Sequence, residues 1–285
     1  MQRTVYLNGE YLPESEAKVS IFDRGFLFAD AIYEVTAVVD GKLLDLEGHI
    51  ARLARSCKEL AMKNPLTAED LVTIQKKLIT LNDLKEGGIY LQVTRGSSGD
   101  RDFPYPDNTE PTVVLFTQSR AVIDSPKAKK GIKIISTPDL RWRRRDVKTT
   151  SLLAACMAKQ AAMSVGCDDA WLIEEGYVTE GGSSNAYIIT QNNTIVTRPL
   201  SNDILHGITR ASLLKVAEKH NLSIEERVFT IEEAYAAKEA FISSASTFIW
   251  PVISIDDRPI GDGVPGPVAS QLREIYIEFA KALSV

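Results

Sequence analysis

Hydrophobic and polar positions change period several times along the 285-residue chain. Thr4 to Leu7 and Glu10 to Leu12 alternate around Asn8-Gly9, a strong hairpin turn signal that predicts two paired strands. Ala31 to Val39 and Lys42 to Asp45 repeat the pattern around Asp40-Gly41. In the first of these, Tyr33, Val35, Ala37 and Val39 share one face, and Ile32, Glu34, Thr36 and Val38 the other. The period then lengthens. Ile50, Leu53, Cys57, Leu60 and Ala61 fall at helical spacing over 47–62. Thr67 with Asp70 marks a helix start, and that helix runs to about Leu81. Strands over Gly88–Thr94 and Thr112–Thr117 complete a first α+β unit. Ser119 to Lys130 is polar, contains Pro126 and has no period, which predicts a linker.

The second half alternates strands and helices. Gly131 to Ser136 predicts a strand and Ser151 to Val165 a helix. Strands follow at Asp169–Ile173, Tyr187–Thr190 and Thr194–Thr197, then a helix over Ala211–His220. Glu239–Ile242 and Ile249–Ile255 read as strands, and an amphipathic helix over 267–281 closes the chain. The expected domains are 1–118, a linker over 119–130, and 131–285.

A chain of this length can bury a large core, and two domains are the natural prior. Its 44% hydrophobic and 25% charged residues are those of an ordinary globular protein. The net charge of −5 argues against a nucleic-acid or membrane-surface binder. Three cysteines, Cys57, Cys156 and Cys167, give neither metal spacing nor a disulfide framework, and a cytoplasmic location fits. The N-terminus lacks the apolar stretch of a signal peptide, and no apolar run nears the roughly 18 residues of a membrane span. His49, His206 and His220 are too dispersed for a metal site.

Candidate chemistry centres on Arg141-Trp-Arg-Arg-Arg-Asp-Val-Lys148, where the hydrophobic period changes from strand to helix. A lysine held between packed elements, near clustered cations, is pushed toward the neutral amine that forms a Schiff base. The plain alternative is a solvated basic turn. Glu180-Gly-Gly-Ser-Ser-Asn185 places a carboxylate before glycines that allow unusual backbone geometry or a close ligand; a surface acid is the alternative. Gly207-Ile-Thr-Arg210 opens a helix whose N–H groups suit phosphate, with Thr209 adding a hydroxyl. Ser243-Ser-Ala-Ser-Thr247 is another small-polar turn able to hold phosphate. Arg52 lies near a helix start, as an anion ligand or an ordinary solvated arginine, and Arg101 is the cation in the middle of the loop 95–106. Tyr33 reads equally as a core or interface tyrosine.

Taken in order, these stretches resemble one family. The carriers are Asp23-Arg-Gly-Phe-Leu-Phe-Ala-Asp-Ala-Ile-Tyr33-Glu-Val, His49-Ile-Ala-Arg52-Leu, Val93-Thr-Arg-Gly, Asp146-Val-Lys148-Thr, Thr179-Glu180-Gly-Gly-Ser-Ser-Asn185, Gly207-Ile-Thr-Arg210 and Phe241-Ile-Ser-Ser-Ala-Ser. The chain is similar, over essentially its whole length, to the fold-type IV aminotransferases that use pyridoxal 5′-phosphate. The D-amino-acid transaminases match best. The resemblance implies an α+β fold of two domains, a small N-terminal α/β sandwich and a larger C-terminal pseudo-barrel, with the cofactor in the cleft between them. It also implies a homodimer.

The resemblance implies roles residue by residue. Lys148 forms the aldimine with the cofactor and then moves the proton. Glu180 pairs with the protonated pyridine nitrogen, keeping the ring an electron sink. Arg52, the backbone of Ile208, the Thr209 hydroxyl and the turn Ser244-Ala245-Ser246 hold the phosphate. Leu205 lies under the ring, and Tyr33 and Arg101 face the substrate. Two departures matter. Relatives place a histidine two positions after the loop arginine, whereas this loop reads Gly99-Asp-Arg101-Asp102-Phe. Ala245 stands where relatives often carry threonine.

The activity this implies is transfer of an amino group from a D-amino acid such as D-alanine to 2-oxoglutarate or pyruvate. An (R)-selective amine transaminase is the alternative that the irregular loop permits. A branched-chain aminotransferase or an aminodeoxychorismate lyase ranks behind it. A non-enzymatic binder using Arg141–Arg145 ranks last, because the chain is acidic and lacks a nucleic-acid module.

Overall fold

Asn8 and Gly9 take positive φ of 48° and 103°, folding strand β1 (Thr4–Leu7) onto β2 (Glu10–Pro13) as their sequence predicts. This hairpin begins a computed structural model that describes residues 2–285. The chain divides into two compact units. The first comprises residues 1–121, Val147–Ser151 and Ser284–Val285, and the second comprises Val122–Asp146 and Leu152–Leu283.

In the first unit the hairpin is followed by a short helix α1 (Arg24–Phe28), then β3 (Ala31–Val39) and β4 (Lys42–Leu43). Helices α2 (Leu46–Glu59) and α3 (Ala68–Leu81) come next, then β5 (Gly87–Thr94) and β6 (Thr112–Ser119). All pairings are antiparallel, in the order β2-β1-β6-β5-β3-β4. The expected capping box is present: Thr67 accepts the Asp70 N–H, and Asp70 accepts the Thr67 N–H. Helix α1 was not legible, because five residues give no period. Asp23 caps it, accepting from Gly25 N at 2.7 Å and from the Thr94 hydroxyl at 2.9 Å. Apolar faces of α2 and α3 close on the sheet through Leu53, Cys57, Leu71 and Leu78 against Ile32, Val38, Leu91 and Leu115. The segment around Lys148 joins this unit by backbone bonds. Tyr33 N donates to the Lys148 carbonyl at 2.9 Å, and Thr150 N to that of Ala31 at 3.1 Å.

The second unit starts within the expected linker, where Pro126–Lys130 forms the short helix α4. It continues with β7 (Ile132–Pro138), α5 (Leu153–Ser164), β8 (Asp169–Glu174), β9 (Tyr177–Gly181), β10 (Asn185–Ile189) and β11 (Ile195–Thr197). Then come α6 (Ile208–Lys219), β12 (Ile224–Glu226), α7 (Ile231–Tyr235), β13 (Glu239–Ser244), β14 (Phe248–Ile255), β15 (Arg258–Pro259) and α8 (Pro267–Ala282). The sheet runs β12-β11-β10-β13-β14-β7-β8-β9, with β15 on β14. It curls as a half-barrel: Gly181 N, at the end of β9, donates to the carbonyl of Ser184, the residue before β10. Its core holds Trp171, Phe229, Ile242 and Val252. The fold is thus α+β, with an antiparallel sheet in one unit and a larger mixed sheet in the other.

Candidate active site

The candidate residues fall in two sets, one on each unit. On the first unit, β3 sends Tyr33 and Glu34 to opposite faces, as alternation requires. Lys148 is half-buried, and its Nζ lies 4.0 Å from the centroid of the Tyr33 ring. It makes no ion pair among the described residues. Tyr33 itself stacks on Tyr90, centroids 5.5 Å apart. Behind β3, helix α2 brings Arg52 to Glu34, Nε to Oε1 at 2.8 Å and Nη2 to Oε2 at 2.7 Å. His49 Nδ1 meets Glu34 Oε2 at 2.8 Å. Arg52 is therefore buried and fixed, not an ordinary solvated arginine. Burial alone pushes the Glu34 carboxyl up, but the Arg52 charge and hydrogen bonds, with help from His49, overcome it and hold it at about 2.

Arg101 is exposed, its guanidinium 4.7 Å from the Phe28 ring centroid and 4.9 Å from that of Phe103. It pairs with neither Asp100 nor Asp102 among the described residues. The loop that carries it is tied down by Arg24, which donates to the carbonyls of Asp102 at 2.6 Å, Phe103 at 3.2 Å and Pro104 at 3.3 Å.

On the second unit, Glu180 is neither a surface acid nor in a loop. It sits on β9 and is 3% exposed. Leu205 N donates to both carboxylate oxygens, at 3.2 and 3.1 Å. Asn185 Nδ2 donates to Oε2 at 3.0 Å, and to the Leu205 carbonyl at the same distance. Arg141 Nη1 meets Oε1 at 2.5 Å. Burial pushes the Glu180 carboxyl up from the ordinary carboxylate range, against the pull of Arg141 and of the Leu205 N–H.

The basic run is not a solvated turn either. Arg141 forks onto Asp139, with Nε at 2.9 Å and Nη2 at 2.7 Å. Arg144 pairs with Asp146 at 3.0 Å, and Arg145 with Glu174 at 2.7 Å. Each of these three guanidiniums is paired with a carboxylate. The two glycines after Glu180 do not have the unusual backbone geometry that glycine allows. Neither takes positive φ. Gly181 is required because a Cβ there would strike Ser184 Oγ.

Helix α6 starts at Ile208, three residues before the sequence signal, and no side chain caps it. Its first N–H groups are left for a ligand, and Thr209 is buried beside them. Gly207 precedes them because a Cβ there would strike Asn185 Oδ1. At the end of β13, Ser244 Oγ lies 3.2 Å from Ser246 Oγ and 2.8 Å from Thr247 Oγ1. Thr247 adds a hydroxyl to the turn where Ala245 has none. Ser184 Oγ is buried and has no partner among the described residues. Taken by itself, the second unit offers groups that fit pyridoxal 5′-phosphate: an uncapped helix start and a turn of hydroxyls for a phosphate, and a buried carboxylate for a ring N–H.

Comparison with known proteins shows the family. The family model for amino-transferase class IV matches residues 31–255, and the chain belongs to this family, whose cofactor is pyridoxal 5′-phosphate. It is 38% identical over 284 residues to the D-alanine aminotransferase of Staphylococcus aureus (strain N315), covering 99% of both chains. It is 39% identical over 271 residues to the D-alanine aminotransferase of Bacillus licheniformis, covering 94% of both. Among solved structures, the branched-chain aminotransferase of the thermophilic archaeon Thermoproteus uzoniensis with norvaline superposes with a TM-score of 0.87 at 27% identity. That alignment covers 99% of this chain and 96% of the other. Sequence reasoning did not single out Arg141, Asp139, Asn185 or Thr247 for the site. Asn185 and Thr247 stand within motifs already noted, whereas Asp139 and Arg141 carried no local signal beyond charge.

Proposed function

We propose that this class IV aminotransferase moves an amino group from a D-amino acid to a 2-oxo acid such as 2-oxoglutarate or pyruvate. The observation that carries the chemistry is Lys148, whose Nζ lies against the Tyr33 ring and has no ion pair among the described residues. The donor class is supported by near full-length relatives named D-alanine aminotransferase.

Bound pyridoxal 5′-phosphate supplies the electron sink that makes a Cα proton labile. Lys148 carries the cofactor and moves that proton at Nζ. Glu180 accepts the ring N–H. Arg52, the N–H of Ile208, the Thr209 hydroxyl and the Ser244-Ala245-Ser246 turn hold the phosphate, and Leu205 supports the ring. Tyr33 orients the substrate, and Arg101 binds its carboxylate as a planar fork.

The working form is a homodimer. A second copy is what would cover the exposed apolar side chains Phe26, Leu153 and Met157, which are 74%, 76% and 56% exposed. The cytoplasm is its compartment, in keeping with three free cysteines. No described helix is long and apolar enough to cross a membrane.

The test mixes the purified holoenzyme separately with D-alanine, L-alanine and (R)-1-phenylethylamine and follows loss of the cofactor's visible absorbance. Conversion by D-alanine alone supports the proposal. Fast conversion by the phenylethylamine with a poor D-alanine reaction replaces it with an amine transaminase. Conversion by L-alanine alone excludes a D-specific enzyme.

A further inference from the structure

Glu180 does not stand alone in the second unit. Asp139, whose side chain is 0% exposed, accepts from Arg141 Nε, Nη2 and backbone N and from the Thr179 hydroxyl at 2.7 Å. Arg145 Nε approaches Asp139 to 3.5 Å while its other nitrogens hold Glu174. The Arg141 guanidinium therefore lies between two buried carboxylates, clamped on one and aimed at the other. Three carboxylates (Asp139, Glu174, Glu180) meet two guanidiniums (Arg141, Arg145). The cluster is one positive charge short. A cationic N–H arriving at Glu180 would balance it.

We propose that Arg141 is a positioning residue that holds Glu180 as an aimed, ionised carboxylate, and so sets whether the ring nitrogen of the bound cofactor carries its proton. The inference rests on the reading of Glu180 as that nitrogen's partner. Two effects of Arg141 oppose each other. Its charge competes with the ring for Glu180 and weakens the ring's hold on a proton. Its charge also keeps a fully buried carboxyl ionised, without which there is no anion to pair with. The second effect decides. The remaining polar partners, Leu205 N and Asn185 Nδ2, are neutral. Of the titratable groups nearby, Asp139 and Tyr187 bring no positive charge, and Arg210, beside Tyr187, is already paired with Glu226 at 2.6 Å. Lysine cannot replace the arginine, because a point charge cannot fork onto Asp139 and reach Glu180 together.

The experiment loads pyridoxal 5′-phosphate labelled with 15N at the ring nitrogen into wild type, Arg141→Met and Glu180→Gln, and records the 15N resonance at neutral pH. Arg141→Met leaves Asp139 less well paired, so the double variant Asp139→Asn/Arg141→Met is measured beside it and carries the test should the single variant not fold. The expected result is a protonated signal in wild type and an unprotonated one in Arg141→Met, in the double variant and in Glu180→Gln. Cofactor dissociation should rise by about 10–100-fold in the arginine variants, the usual effect of removing a group that orients another. Protonated signals in the arginine variants with an unprotonated one in Glu180→Gln overturn the proposal and leave the Glu180 reading intact. Identical signals in wild type and Glu180→Gln overturn that reading and the proposal with it.

Discussion

Lys148 and Tyr33 are bound to each other twice, once by Nζ over the ring at 4.0 Å and once by the Tyr33 N–H on the Lys148 carbonyl at 2.9 Å. The backbone bond survives any change of side chain. Lys148→Ala should therefore fold, losing no more than the about 1 kcal/mol of an exposed cation–π contact. It should lose turnover by more than about a hundredfold, the lower range for a positioned proton-transfer group. Thermal melting and the absorbance of added cofactor measure the two separately. Full activity with normal cofactor colour would remove Lys148 from the chemistry.

The Glu34 carboxyl stands at about 2 in the folded protein, below its ordinary 4.5. A lowered value means that the ionised form stabilises the fold. That contribution is complete above about pH 4.5 and is lost as pH falls toward 2. Melting temperature should therefore decline across this window. Glu34→Gln should be less stable at neutral pH by about 3–5 kcal/mol, because the buried Arg52 loses this carboxylate. Its decline below pH 4.5 should be shallower, as seen by melts at a series of pH values.

Glu239 stabilises a helix far along the chain from itself. Its carboxylate accepts the Val268 N–H at 3.1 Å and the Ala269 N–H at 2.9 Å, doing for α8 what its N-cap Gly266 has no side chain to do. Glu239→Ala should cost about 3 kcal/mol, the scale of hydrogen bonds to a charged group. Chemical denaturation measures the loss, and cofactor affinity should not change.

Arg101 rests on the rings of Phe28 and Phe103 and has no ion pair among the described residues. If it takes the substrate carboxylate, Arg101→Met should raise KM for the 2-oxo acid by about 10–100-fold, the worth of a charged hydrogen-bond pair. Stability should shift by less than about 1 kcal/mol. An unchanged KM for the oxo acid would assign carboxylate binding elsewhere.

The hairpins were legible because Asn8-Gly9 and Asp40-Gly41 pin a turn between alternating runs, and β3 begins and ends where its alternation does. Strand β9 was not. Thr179, Glu180 and Gly181 are polar or lack a side chain, yet all three are buried, so no alternation marks them. Arg141 was misread for a related reason. A run of arginines ordinarily faces water, and what draws this one inward is Glu180, 39 residues further on, brought alongside by sheet pairing. Lys148, Glu180, Leu205, Ile208 and Thr209 stood out by their motifs. The positions of Glu180 and Leu205 depend on Asn185 and Arg141, whose partnerships are tertiary.

Neither unit is a single continuous stretch of chain. Val147–Ser151 belongs with the first while Asp146 and Leu152 on either side belong with the second. Thr150 follows Ala29, whose carbonyl its hydroxyl bonds, by 121 residues. During synthesis, β3 therefore leaves the ribosome long before the segment that completes its edge, and the lysine reaches its place only through a late, non-local pairing. No single cut in the polypeptide yields two fragments that match the two units. A gene fragment ending at residue 121 would make most of the first unit without Lys148. Shuffling such halves between related enzymes should fail unless the short insert Val147–Ser151 travels with the strand it borders.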